Sequence, residues 1–352
     1  MLQRESAAGK GFMNKRKLIG EIVFLIIVFA GTLYGVFHGA DLQQCIRAIG
    51  EARKIYLLPA VVCVVVFIWG ESVIIHYMMG TLDIHLKKWT CFLFSSIGFF
   101  FSCITPSATG GQPAQIYYMR RKKIPIPVAT LVLMVVTITY KAVLVIIGLG
   151  MIVCGQGFIQ KYLTGILPVF YLGIVLNVLC VGFMMILVFH TTMAEAILCK
   201  GLCLMEKLHL VRYKKSRHER LASGMTKYRE TAAYFKDHKH VVFRVLVITF
   251  VQRFALFLST YFVYRSFGLD EFPVMTIVLL QAVISVSVDM LPLPGGMGIS
   301  EKLFLTIFVP VFGAGLLLPG MILSRGLGYY TELLLSALLT VVAHFTIAEE
   351  KV

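Results

Sequence analysis

Charge is what this chain has least of. Asp, Glu, Lys and Arg make up 14% of its 352 residues, where an average soluble domain carries about 25%. Acid is the scarcer sign, with 18 Asp and Glu against 33 Lys and Arg, and only two residues are tryptophan. With 58% hydrophobic residues and a mean hydropathy of +0.84, a soluble globular fold is excluded. The chain reads as an all-α polytopic membrane protein forming one integral membrane domain over 1–352. Its net charge of +15 does not point to nucleic acid, and no direct nucleic-acid binding is expected. The basic residues gather in short loops between apolar spans, where they set topology and meet anionic lipid headgroups.

The machinery of soluble enzymes is missing too. There is no Walker A loop, which argues against direct use of ATP. There is no GxSxG elbow, no HExxH and no Ser-His-Asp pattern that can be placed. The eight cysteines are scattered, Cys199 and Cys203 being the closest pair, and no Cys/His cluster has zinc spacing. They read as small apolar filler, so no metal and no cofactor are expected. His76 and His344 lie within or at the ends of spans and suit packing or local hydrogen bonding.

What is there is long apolar runs. A spanning helix needs about 20 such residues, and full spans fall near 18–37, 55–79, 126–153, 164–190, 241–265 and 316–346. The first follows Lys15-Arg16-Lys17 and lacks a small-residue cleavage site, so it reads as a retained helix rather than a signal peptide. Two further apolar segments, 89–119 and 273–313, are broken at their centres by FSCITPSATGGQPAQIYYM (101–119) and SVDMLPLPGGMGISEKLF (287–304). In lipid every backbone N–H and C=O must find a partner inside the protein, so such breaks belong in protein or beside a wet cavity.

Charge then sets direction. Lys87-Lys88 before the first broken segment and Arg120-Arg121-Lys122-Lys123 after it both belong inside. The segment is therefore expected to enter and leave by the same face, as a re-entrant hairpin with Thr109-Gly110-Gly111 near its tip. The alternative, full crossings, puts the basic run outside. The second hairpin, with Gly295-Gly296 near its tip, is expected to enter from outside. Both termini are then cytoplasmic, in the cell membrane. About six full helices and two opposed hairpins make an inverted-repeat, transporter-like arrangement.

Charges inside spans support the repeat. Glu71 lies 39 residues before Gly110 and Arg253 lies 42 before Gly295. Lys141 follows Gly110 by 31, and Arg325 follows Gly295 by 30. Between the halves, 191–240 holds eleven Lys/Arg and five Asp/Glu. Ala194, Ile197, Leu198, Leu202 and Met205 share one helical face, as do Leu221, Met225, Tyr228, Ala232 and Phe235. This suggests basic amphipathic helices on the inner leaflet; a solvated linker is the other reading.

The candidate site is built from these parts. Glycines at the tips (Gly110, Gly111, Gly295, Gly296, Gly298), with Thr109 and Gln112, let backbone approach a ligand, and broken helices point N–H groups at a phosphate. Arg253 and Arg325 add fork-shaped donors for a phosphodiester. Glu71, Asp289, Glu301 and Glu332 balance charge or hold an amino headgroup. The structural alternatives are ion pairs of Arg253 or Arg325 with Asp289 or Glu332 and of Lys141 with Glu71, and, for Glu301-Lys302, a place at the outer membrane surface.

At the two broken segments the chain resembles the membrane (flippase) domain of the lysylphosphatidylglycerol synthase/flippase family. The resembling residues are Thr105-Pro106 with Gly110-Gly111-Gln112-Pro113, Pro292-Leu293-Pro294-Gly295-Gly296-Met297-Gly298-Ile299-Ser300-Glu301, and Arg325 with Tyr329-Tyr330. The resemblance implies an acid after the Gly-Gly pair, and this chain departs from it with Gln112. The resemblance implies a translocase moving an aminoacylated phospholipid, such as lysyl-phosphatidylglycerol, between leaflets, in a family tied to resistance to cationic peptides. The alternative it implies is phosphatidylglycerol lysyltransferase, which uses lysyl-tRNA, or a membrane subunit of one. The last span ends close to Val352, so that transfer chemistry is not expected here. A third reading is a membrane partner recruiting proteins through 191–240. Phospholipid and bilayer are the expected partners, and a homo-oligomer stays open.

Overall fold

The computed structural model describes residues 42–207 and 215–347. The expected first span, 18–37, lies outside the described residues, as does the side chain of Met205. Among the described residues there is helix and turn and no strand. A short helix α1 (Leu42–Glu51) leads into α2 (Lys54–Thr81); α3 (Lys88–Ile104) and α4 (Gly111–Arg121) form the first broken segment. Next come α5 (Ile126–Cys154), the short α6 (Gln156–Tyr162) and α7 (Leu167–Phe189), then α8 (Thr191–Lys207) and α9 (Lys215–Asp237). The second half has α10 (Lys239–Ser266), a broken pair α11 (Val274–Val288) and α12 (Ile299–Ile307), then α13 (Val309–Arg325) and α14 (Thr331–Thr346).

Five stretches are long and apolar enough to cross a membrane: Lys54–Thr81, Ile126–Cys154, Thr164–Phe189, Lys239–Ser266 and Val309–Thr346. They are the five expected spans that fall within the described residues. The last is one path of α13, a π-helical turn Gly326–Tyr330 and α14. Inserted π turns of this kind often mark functional positions.

The broken segments are hairpins. Their arms hold 17 and 11 residues in the first and 15 and 9 in the second. At about 1.5 Å per residue, none reaches the ~30 Å of a hydrocarbon core. Each arm folds back on its partner. In the first hairpin Gln115 Nε2 donates to Phe94 O at 3.1 Å, and a Cβ on Gly111 would stand 2.7 Å from Gly98 O.

Both tips open the same way. An extended residue, Thr105 or Leu293, precedes a proline that opens a short 3-10 turn, Pro106–Ala108 or Pro294–Gly296. The extended backbone follows from the proline, which disfavours helix in the residue before it. Two left-handed residues come next: Ser107 and Ala108 (φ 50 and 55), Gly295 and Gly296 (φ 56 and 65). Gly110 and Gly298 then start the second arms. This alignment corrects the register expected from the glycine pairs. Gly295-Gly296 corresponds to Ser107-Ala108, and Gly110 corresponds to Gly298. Lys141, 35 residues after Pro106, then matches Tyr329, 35 after Pro294, rather than Arg325.

The hairpins enter from opposite ends of the bundle. The 28-residue α10 packs Val241 and Val245, near its start, into the apolar cluster that holds Cys91 and Met119 at the base of the first hairpin. Near its other end, Val263 and Tyr264 join the cluster holding Ile277 and Ile307 at the base of the second. The tips meet between these clusters, where Ser107 Oγ donates to Leu291 O at 3.3 Å. Helices α2 and α10 pack directly on each other at Gly70, and Gln252 Nε2 donates to Phe67 O at 2.8 Å.

One face of α9 is packed into the body rather than solvated. Met225, Tyr228, Ala232 and Phe235 are buried in the first cluster, and Tyr228 OH donates to Leu187 O at 3.1 Å. An Arg229–Glu195 ion pair ties α9 to α8. On α8, Ala194 is buried while Ile197 and Leu198 are exposed.

Candidate functional site

A cavity of about 530 Å³ opens where the two tips meet α2, α5, α10 and the π turn. Ten of the fourteen candidate residues line it: Glu71, Thr109, Gln112, Lys141, Arg253, Asp289, Gly295, Gly296, Arg325 and Glu332. Gly110, Gly111, Gly298 and Glu301 do not. Gly111 is a packing glycine, since a Cβ there would stand 2.2 Å from Ser102 Oγ. Gly298 (φ 84) caps α12.

Thr105 closes the first tip. Its Oγ1 donates to Phe101 O at 2.6 Å and accepts from Gly110 N at 2.9 Å, joining the end of one arm to the start of the next. At the second tip the corresponding N–H, that of Gly298, is held from within the second arm by Glu301, whose carboxylate accepts from Gly298 N at 2.7 Å and Ser300 Oγ at 3.2 Å. Glu301 is 5% exposed, so it is an interior group and not part of the outer surface. It also accepts from Arg325 Nε at 2.7 Å, while Arg325 Nη2 donates to Gly295 O at 3.0 Å. The partner of Arg325 is therefore Glu301, neither Asp289 nor Glu332.

Lys141 pairs with Asp289 at 2.6 Å, not with Glu71. This contact runs from the helix after the first hairpin to the second hairpin. Its counterpart is Tyr329, on the helical path after the second hairpin, whose OH donates to Cys103 O in the first at 2.9 Å. Each half thus braces the hairpin of the other.

Three charged groups in the cavity wall have no ion-pair partner among the described residues: Arg253, Glu71 and Glu332. Arg253 is 3% exposed. Its guanidinium donates to Tyr140 OH, lies 3.9 Å from the centre of that ring, and leaves Nε without a partner. Glu71 Oε1 accepts from Gln115 Nε2 at 2.7 Å. Glu332 Oε1 meets the Cys103 thiol at 3.6 Å. A charge within a spanning helix costs about 2.5–3.5 kcal/mol on insertion scales. Three such groups line this one cavity.

Several wall residues escaped the sequence reading. Gln115 was detectable as a second amide one helical turn after Gln112. Tyr140 adjoins Lys141, but nothing in the sequence marks it as the partner of Arg253. Gln112 is neutral here and donates to Thr137 Oγ1, another residue without a sequence signal.

Comparison with curated proteins returns no match. The family described as "Lysylphosphatidylglycerol synthase TM region" matches residues 19–336, which takes in both hairpins, the cavity lining and the last helical path as far as Ser336. The chain is a multi-pass membrane protein that belongs to the lysylphosphatidylglycerol synthase transmembrane-region family.

Proposed function

We propose that the chain is a phospholipid translocase of the cell membrane, with cytoplasmic termini, that passes a headgroup between leaflets through the cavity while the acyl tails stay in lipid. The observation that carries this reading is Arg253: a buried guanidinium, free of any carboxylate partner among the described residues, in the wall of a 530 Å³ cavity. Its open donors suit a phosphodiester. Glu71 and Glu332 suit the ammonium groups of an aminoacylated headgroup such as lysyl-phosphatidylglycerol. Family membership supports that substrate class. A lined cavity lowers the dehydration cost that bars a headgroup from the bilayer core.

The test is flipping in proteoliposomes of tail-labelled phosphatidylglycerol and its lysyl form, read with a membrane-impermeant quencher. Flipping is expected from the native chain. Arg253→Ala is expected to reduce it by about ten- to a hundredfold, corresponding to the ~1.5–3 kcal/mol of a charged hydrogen bond. Folded protein that flips neither lipid refutes the proposal. Lysyl-lipid formed from charged tRNA by the purified chain assigns it to the synthase chemistry instead.

A further inference from the structure

The charges of the cavity do not cancel. Lys141 with Asp289 and Arg325 with Glu301 are closed pairs. What remains among the described residues is one positive group, Arg253, and two carboxylates, Glu71 and Glu332, which with both acids ionised leave the empty cavity one charge negative. A headgroup with one phosphate and two ammonium groups is one charge positive, and it brings the sum to zero. A zwitterionic headgroup leaves the cavity at minus one, and an anionic one leaves it at minus two. The empty cavity reaches zero only by taking up one proton.

We infer that Glu71 and Glu332 form a proton-exchange site and that transport is an electroneutral exchange of one net-positive lipid headgroup for one proton. This rests on the translocase reading above. The headgroup's ammonium groups and the proton compete for the same carboxylate oxygens. When the lipid leaves, a proton from water in the open cavity binds one carboxylate, and the neutral cavity returns. On the other side the next headgroup displaces that proton to water.

Charge balance in the cavity calls for one proton rather than two. Facing Glu71 are the Gln115 amide, which donates to it, and across the cavity Tyr140, Arg253 and Glu332. Facing Glu332 are the Cys103 thiol, Tyr329, Arg253 and Arg325. The guanidinium of Arg253 balances one carboxylate charge, and Arg325 is committed to Glu301. An isolated second charge in a membrane interior is the costly one, so it is the one neutralised.

The experiment uses the full chain in liposomes with labelled lysyl-phosphatidylglycerol, at about pH 5.5 on one side and about pH 6.5 on the other, where both ammonium groups stay charged. A one-to-one exchange drives the lipid toward the leaflet facing the acidic side, by about tenfold per pH unit. A potassium diffusion potential at equal pH leaves the distribution even. Glu332→Gln and Glu71→Gln are each expected to abolish the pH-driven asymmetry. Glu332→Asp, which keeps a protonatable group, retains it. Thermal unfolding in detergent reports the folding of each variant, and binding of the labelled lipid is measured for the native chain. Flipping that ignores the pH gradient, or that follows the potential, overturns the exchange while leaving the translocase standing. An asymmetry that survives both Gln variants overturns the assignment of the site. Absence of flipping with lipid binding intact overturns the translocase reading, and the exchange falls with it.

Discussion

The contact most open to a quantitative test is the seat of Tyr329 on Gly295. Gly295 has φ 56, and a Cβ placed on it would lie 2.1 Å and 2.4 Å from two ring carbons of Tyr329. Gly295→Ala therefore carries two penalties. Left-handed backbone costs a residue with a Cβ about 1–2 kcal/mol, and forcing a methyl into a packed ring adds about 1–3 kcal/mol. The loss expected is about 2–5 kcal/mol in unfolding free energy. Tyr329→Ala alone removes a large partly buried ring and its hydrogen bond to Cys103 O, at about 3–5 kcal/mol. The double variant frees the space the methyl needs, so only the backbone share of the Gly295 penalty remains. It should be more stable than the sum of the single changes by about 1–3 kcal/mol. Thermal or denaturant unfolding of the four proteins in lipid nanodiscs measures this coupling. Strict additivity would refute the claim that ring and tip are in contact, and a Gly295→Ala protein as stable as the native one would refute the left-handed tip itself.

Three further outcomes can be checked the same way. On α7, Gly173 abuts backbone, its Cβ falling 2.3 Å from Val286 O, whereas Gly182 has nothing within 4 Å; Gly182→Ala should stabilise by about 0.5–1 kcal/mol and Gly173→Ala should destabilise, as melting temperatures will show. Removing one partner of the Lys141–Asp289 pair, whose side chains are 12% and 14% exposed, should cost about 3–5 kcal/mol, and the paired change Lys141→Met with Asp289→Leu should cost less than either single change. Burial raises the Tyr228 hydroxyl above its usual value of 10.0, so the folded state favours the neutral phenol. Its contribution is whole below about pH 10 and is lost as pH rises through the raised folded value. Tyr228→Phe should therefore lose about 1 kcal/mol at neutral pH yet show a shallower alkaline decline in melting temperature.

The helices were legible because the bilayer imposes their length. Runs such as Ile126–Cys154 have no competing reading, and Pro106 and Pro294 announce the breaks because proline restricts the residue before it. The partners of the charged groups were not legible. Lys141 and Glu71 lie in adjoining spans of the same half, which made them natural partners, yet Lys141 reaches across to Asp289 because each half braces the opposite hairpin. Arg325 finds Glu301, 24 residues earlier, because α12 turns back toward α13, a geometry that hydropathy does not encode. The repeat was readable as a plan and misaligned in detail. Paired glycines are the visible signal, but what the two tips share is left-handed backbone, and Ser107 and Ala108 adopt it without being glycine.

That difference between equivalent tips explains how an approximate repeat makes one site instead of two. The backbone follows the same path on both sides from the extended residue through the two left-handed ones, and the tips touch there. The side chains then divide the work. Where the first tip has Ser107, a hydroxyl reaches across to Leu291 O. Where the second has Gly295, the missing Cβ admits the Tyr329 ring and leaves the Gly295 carbonyl free to accept from Arg325. Placing glycine at 107 would remove a bond between the tips, and placing serine at 295 would collide with the ring. The same division extends to the matched positions 141 and 329. Lysine on one side makes an ion pair, and tyrosine on the other makes a hydrogen bond to backbone. With both braces satisfied internally, Arg253, Glu71 and Glu332 are left as the charged groups of the cavity wall that have no ion-pair partner among the described residues.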